Sequence, residues 1–214
     1  MHQDLKVISE IYSRVITEEK GRRFIKGDVD LSKLQLKELP AWLAGVEVDG
    51  SFNCSNNYLK TLAGSPKRVK GKFNCSFNKL QTLVGGPVEV LDDYHCFENR
   101  LENLQGAPKK FHHEGDFFCY SNRLTSLVGA PRVALNFACD NNSLKSLKGA
   151  PEFVANDFEC HENSVSFTEE DVYDVCEVDG AVITDENVSE YYEGYDAHDN
   201  FFVDEFEDGI PGWP

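Results

Sequence analysis

One phrase constrains this chain more than anything else in it. Phe-Asn-Cys-Ser-Asn-Asn-Tyr-Leu-Lys-Thr-Leu-Ala-Gly-Ser-Pro begins at Phe52, is restated four times, and opens a truncated sixth statement at Phe158. Its cysteines stand at 54, 75, 96, 119, 139 and 160, so the period is 21, 21, 23, 20 and 21 residues. A period in that range marks a solenoid, in which no single unit can bury its own apolar face and stacked neighbours supply the core.

Each statement reads aromatic, x, Cys, x, x, Asn, x, Leu, x, x, Leu, x, Gly, x, Pro. The aromatics Phe52, Phe73, Tyr94, Phe117, Phe137 and Phe158 lie two residues before each cysteine. That alternation is the period of a strand with one face buried. Asparagines follow each cysteine at 57, 78, 99, 122, 142 and 163, and leucines follow at 59, 80, 101, 124 and 144 and at 62, 83, 104, 127 and 147. Phe, Cys and Leu are expected to stack on their counterparts as internal ladders, with the Asn amides turned inward to satisfy backbone groups. Length varies only between each proline and the next cysteine, so insertions are confined to the return segment.

The phrase resembles the leucine-rich repeat, whose strand-bearing half reads Leu-x-Leu-x-x-Asn-x-Leu, with the aromatic and Cys in the first two leucine places. Five repeats agree at seven positions, and the resemblance covers about residues 29–167. The Gly-Ala-Pro endings joined to Cys-Ser-x-Asn strands are similar to short repeats of uncharacterised phage and bacterial proteins. The resemblance implies an α/β repeat solenoid: a leucine-rich-repeat arc with a concave parallel sheet.

Residues 1–28 are expected to form an N-terminal helical cap, because Leu5, Ile8, Tyr12, Val15 and Ile16 share one helical face over residues 4–20. Residues 29–39 read as a degenerate first repeat, with Leu31 in the cysteine place. Residues 168–214 are expected to form an acidic C-terminal cap and tail. Residues 1–148 hold all 21 Lys and Arg against 17 acids, whereas residues 149–214 hold 20 acids and no Lys or Arg. Within the cap, Thr168 opens a helix running to about Cys176 and Thr184 opens another to about Tyr192.

The ladder position makes six of the seven cysteines core residues rather than a disulfide framework. His95-Cys96 and Cys160-His161 cannot share a metal, since strand neighbours point to opposite faces. Neither a metal nor a cofactor is expected. No phosphate-binding loop, nucleophile elbow or zinc motif occurs. Cys176 was weighed against the catalytic cysteine of bacterial leucine-rich-repeat ubiquitin ligases, but only 38 residues follow it. The chain is therefore expected not to be an enzyme.

The residues flanking each cysteine face away from the ladder. The row before it reads Asp30, Asn53, Asn74, His95, Phe118, Ala138, Glu159, and the row after it Ser32, Ser55, Ser76, Phe97, Tyr120, Asp140, His161. His95, Phe97, Phe118 and Tyr120 form a two-by-two block that Phe77 extends. The block is expected to stand exposed and to bind another protein, since aromatics dominate binding hot spots; the weighed alternative is that the chain folds over it. His112 and His113, in the enlarged return segment, and Phe201, Phe202, Asp204, Glu205 and Phe206, in the tail, are expected to add secondary contacts. Lys79, Arg100 and Arg123 share one repeat position but make too short a basic row for nucleic-acid binding. No apolar run is long enough to cross a membrane and no signal-peptide core is present, so a cytoplasmic location is expected. Two function classes follow. The first is a non-enzymatic inhibitor or adaptor, phage-encoded in one setting and acting on a host defence or nucleic-acid-handling protein. The second is an acidic mimic of a nucleic-acid backbone acting through the C-terminal third.

Overall fold

The computed structural model describes residues 16–193. Strands β3 (Val29–Asp30), β5 (Phe52–Asn53), β7 (Phe73–Asn74), β9 (Tyr94–His95), β11 (Phe117–Phe118), β13 (Phe137–Ala138), β15 (Phe158–Glu159) and β17 (Val182–Ile183) pair in that order into an eight-stranded parallel sheet. Equivalent positions are in register, with Phe52 opposite Phe73 and Phe73 opposite Tyr94. The period of the sequence is thus the rise of one coil.

Each coil returns through a second strand. β1 (Thr17–Glu19), β2 (Arg22–Ile25), β4 (Val46–Val48), β6 (Arg68–Val69), β8 (Glu89–Val90) and β10 (Lys110–Phe111) form a six-stranded sheet, parallel except for the β1–β2 hairpin. β12 (Val133–Ala134), β14 (Phe153–Val154) and β16 (Glu177–Val178) form a third, parallel sheet. The break between these two sheets coincides with the longest coil, where residues 112–116 separate β10 from β11.

The fold is therefore a parallel β-solenoid, and the helices implied by an α/β reading are not in its five full repeats; among the described residues a 3-10 turn, Ala41–Leu43, occurs only in the first coil. The return segment is short and carries a proline at 66, 87, 108, 131 and 151, which removes a donor and blocks a helix through that point. Only two or three residues then fit against the stack, and a valine or alanine such as Val69, Val90, Ala134 or Val154 is fully buried there.

The expected N-terminal helix is corrected where the chain is described. Thr17–Glu19 and Arg22–Ile25 form a hairpin closed by Lys20 and Gly21, both at positive φ (53° and 73°), the conformation that suits a two-residue hairpin turn. Residues 1–15, which carry most of the predicted helical face, lie outside the described residues. At the other end, α1 (Glu169–Tyr173) and α2 (Val188–Glu193) fall where helices were expected. Thr168 and Asp171 cap α1 reciprocally. Between the two helices β16 and β17 extend both sheets, so the stack continues beyond the last recognisable phrase.

The core is one ladder per repeat position. Ring centroids run 5.6, 5.1, 5.2, 5.8 and 5.3 Å apart from Phe52 through Phe73, Tyr94, Phe117 and Phe137 to Phe158. The six ladder cysteines are free and fully buried, and burial raises their thiols above the ordinary range. Inner leucines such as Leu80, Leu83, Leu101 and Leu104 are equally buried.

After each strand the residue two past the cysteine takes a left-handed conformation: Asn56, Phe77, Glu98, Ser121, Asn141 and Glu162 have φ of 47–55°. Phe77 is a bulky residue for that region. The asparagine ladder holds the turn. The side-chain amide of Asn99 donates to the carbonyls of Cys75 (3.1 Å), Cys96 (3.2 Å) and Phe97 (3.2 Å), and its Oδ1 accepts from the Leu80 N–H at 3.0 Å. Asn78 and Asn122 repeat the pattern, each bonding its own coil and the one before. At the second corner Gly106 has φ 96°, and a Cβ there would lie 2.3 Å from the Val84 nitrogen. Both the conformation and the contact exclude a side chain.

Candidate functional site: the outer face of the long sheet

His95 and Phe97 flank the inward-pointing Cys96, and Phe118 and Tyr120 flank Cys119, so all four project from the face opposite the ladder. The structure gathers them there. Phe97, Phe118 and Ala138 form a hydrophobic cluster separate from the main core, with Phe77 and Tyr120 half-buried against it. Phe97 stacks on Tyr120 at 4.4 Å with planes 9° apart, and Phe77 meets Phe97 edge-on at 5.3 Å. Phe118 lies 4.7 Å from His95 and 6.3 Å from Tyr120.

The expectation that this block stands exposed is corrected. His95, Phe97 and Phe118 retain only 8, 7 and 5% of their surface, leaving Phe77 and Tyr120 as its most accessible members. Strands about 4.8 Å apart bring rings on successive coils into contact, so large side chains in adjacent rows bury each other. Mutual contact also fixes their orientation. His95 behaves as one more ring: burial, with a small push from Lys72, lowers its pKa to about 3, which keeps it neutral.

The first coils differ. Asp30, Asn53 and Asn74 each turn a side-chain oxygen back onto the backbone two residues on, accepting from the N–H groups of Ser32 (2.8 Å), Ser55 (3.0 Å) and Ser76 (3.0 Å). Those polar rows serve their own turns. Beyond the aromatic cluster the face becomes acidic, with Asp140, Glu159 and His161 brought together. Burial, reinforced by Glu159, pushes Asp140 up to about 7. Tyr192, on α2, donates to Glu159 Oε2 at 2.8 Å.

The sequence puts Asp140 and His161 side by side in one row and Glu159 in the other, but not their convergence, because Glu159 and His161 flank one cysteine and only the side-chain directions bring them together. The loop histidines stand apart from the cluster. His112 is half-buried, His113 is exposed, their rings are 4.6 Å apart, and His112 Nδ1 accepts from the Glu114 N–H at 3.3 Å. Phe201, Phe202, Asp204, Glu205 and Phe206 lie outside the described residues, with six of the 20 acids of residues 149–214; the other 14 lie within them. Lys79 of the basic row sits over the Tyr58 ring at 4.6 Å.

Among the described residues no helix is long and apolar enough to cross a membrane. No family model, curated protein or solved structure matches the chain.

Proposed function

We propose that this β-solenoid is a non-enzymatic protein-binding module, an inhibitor or adaptor, that engages its partner with the outer face of the eight-stranded sheet. One observation carries the reading: a second aromatic cluster, separate from the core, whose rings are ordered by one another and whose rim, Phe77 and Tyr120, is still partly accessible. An anchor already locked in place spends little conformational entropy on binding, which is what a hot spot requires. The leucine-rich-repeat resemblance fits this use, with the sheet as the concave side of an arc. The phage-like repeats suit a protein that disables a host factor in the host cytoplasm.

The test places a photo-crosslinking amino acid at Phe77 and, as control, at the exposed Tyr58. A partner captured only from position 77 is then titrated with the Phe77→Ala, Tyr120→Ala double variant. Affinity is expected to fall by about 100-fold, as hot-spot truncations do. It should change little between 50 and 200 mM salt, unlike a charge-mimic complex. Undiminished binding by the double variant would reject the face as the site. Tighter binding after truncation at residue 193 would show that the chain's own tail competes for it.

A further inference from the structure

We propose that Asp140, Glu159 and His161 form a binding site for one divalent transition-metal ion, with Zn²⁺ as the expected occupant. Their ligand atoms lie within 4.8 Å of one another on one face of adjacent coils. Glu159 and His161 flank Cys160 on the truncated sixth repeat, and Asp140 comes from the coil before. The arrangement follows from register: Ala138 pairs with Glu159, so two residues on Asp140 runs beside His161.

The imidazole is what makes this more than an acidic patch. Both ring nitrogens of His161 are without accessible surface and without a hydrogen-bond partner, and its side chain is only 12% exposed. Nε2 lies 3.8 Å from Glu159 Oε2, beyond hydrogen-bond reach. Buried nitrogens are nearly always satisfied, and two left unmet beside two carboxylates, of their own and the neighbouring coil, leave a place for a bound ion. Tetrahedral zinc takes N and O ligands at about 2.0–2.2 Å, which sets ligand atoms roughly 3.5 Å apart, so side-chain shifts of roughly 1 Å would close the site.

Charge and surroundings agree. Glu159 is 7% exposed, and two carboxylates this close repel; a divalent ion with a neutral imidazole would balance them. The Tyr192 hydroxyl holds one Glu159 oxygen and so orients it, the part an outer-shell group plays in metal sites. Imidazole in the set favours zinc and its neighbours over Mg²⁺ or Ca²⁺, which prefer oxygen alone. Cys160 points the other way into the core, so the ligands are nitrogen and oxygen only.

The test is calorimetric titration of ZnCl₂ into chelator-treated full-length protein, with MgCl₂ and CaCl₂ in parallel. One equivalent of Zn²⁺ should bind. His161→Gln and Asp140→Asn should each weaken it by more than about tenfold, and Tyr192→Phe by about tenfold or less, as loss of outer-shell support does. Bound Co²⁺ should show d–d absorption without a thiolate charge-transfer band. The proposal is overturned by the absence of stoichiometric Zn²⁺ binding, by binding that both ligand variants leave unchanged, by a thiolate band, or by a site that takes only Mg²⁺ or Ca²⁺. Circular dichroism checks the fold of each variant, and should His161→Gln fail to fold, Asp140→Asn decides the matter.

Discussion

The two faces of the eight-stranded sheet obey different rules. Inside, the five full repeats carry the same residues, an aromatic, a cysteine, an asparagine and two leucines, each on its counterpart. Outside, the same strands change character from Asx-turned polar residues, through stacked aromatics, to a carboxylate–imidazole group. Uniformity is what stacking demands, because each coil must fit two neighbours alike. Variation on the other face is free of that demand, and that is where function is expected.

If the inner ladder carries the fold, its centre should be the most sensitive place in the molecule. Phe117→Ala empties a position stacked on Tyr94 and Phe137, and should lower the unfolding free energy by about 3–5 kcal/mol in a urea titration. Phe97→Ala, in the outer cluster, should lower it by less. Equal losses would mean that the outer cluster is a second core and not a surface feature.

The corner ladder comes next. Asn99→Ala would leave the buried Leu80 N–H without its acceptor and remove one of two donors from the carbonyls of Cys75, Cys96 and Phe97, which keep Asn78, Asn122 and the Phe77 N–H, and should be destabilising by about 1–3 kcal/mol. A comparable substitution of Asn53, whose oxygen accepts a single part-buried bond from the Ser55 N–H, should have a clearly smaller effect in the same titration.

These contrasts match what could be read in advance. Asn99 and its counterparts were legible because the spacing from cysteine to asparagine never changes, and a fixed spacing in a solenoid is a fixed place in space. The return strands were not, since dipeptides such as Arg68–Val69 and Glu89–Val90 are too short to show a period. Ile16 fitted a helical stripe equally well, while the positive φ of Lys20, which closes the β1–β2 hairpin, leaves no mark in composition. The outer rows were read correctly as rows but wrongly as exposed, because ring size matters as much as direction. Asp140 and His161 already stood side by side in the row after the cysteine; that Glu159, from the row before it, reaches them depends on side-chain directions the sequence does not carry.

Titration should separate the groups of the outer side, since burial moves two of them with opposite consequences. His95 is lowered by burial to about 3, so its folded pKa lies below its unfolded value, and stability is lost as pH falls from about 6.5 toward 3. Asp116 is raised by burial to about 6, so the stability it contributes is present below about 3.8 and is lost as pH rises through 6. Urea midpoints measured from pH 4 to 7 should therefore bend in opposite senses: His95→Phe should remove loss on the acid side, and Asp116→Asn loss on the neutral side. Profiles that stay parallel to the parent would mean that neither group is shielded from water as the packing implies.

The smallest effect is expected where the inner face breaks its own rule. Tyr94 occupies a place that Phe holds in the neighbouring coils, and its hydroxyl is buried with no hydrogen-bond partner. Beside it, a Cβ on Gly86 would lie 3.0 Å from Leu62 Cδ1 and from the Leu83 carbonyl and at an ordinary 3.5 Å from that hydroxyl, whereas the matching positions are Ser65, Ala107, Ala130 and Ala150. An unsatisfied buried hydroxyl is a standing penalty, so Tyr94→Phe should raise stability by about 1 kcal/mol, read as a later urea midpoint at unchanged slope. A Tyr94→Phe variant less stable than the parent would show that the hydroxyl is satisfied in solution, and that the ladder tolerates a polar member at its centre.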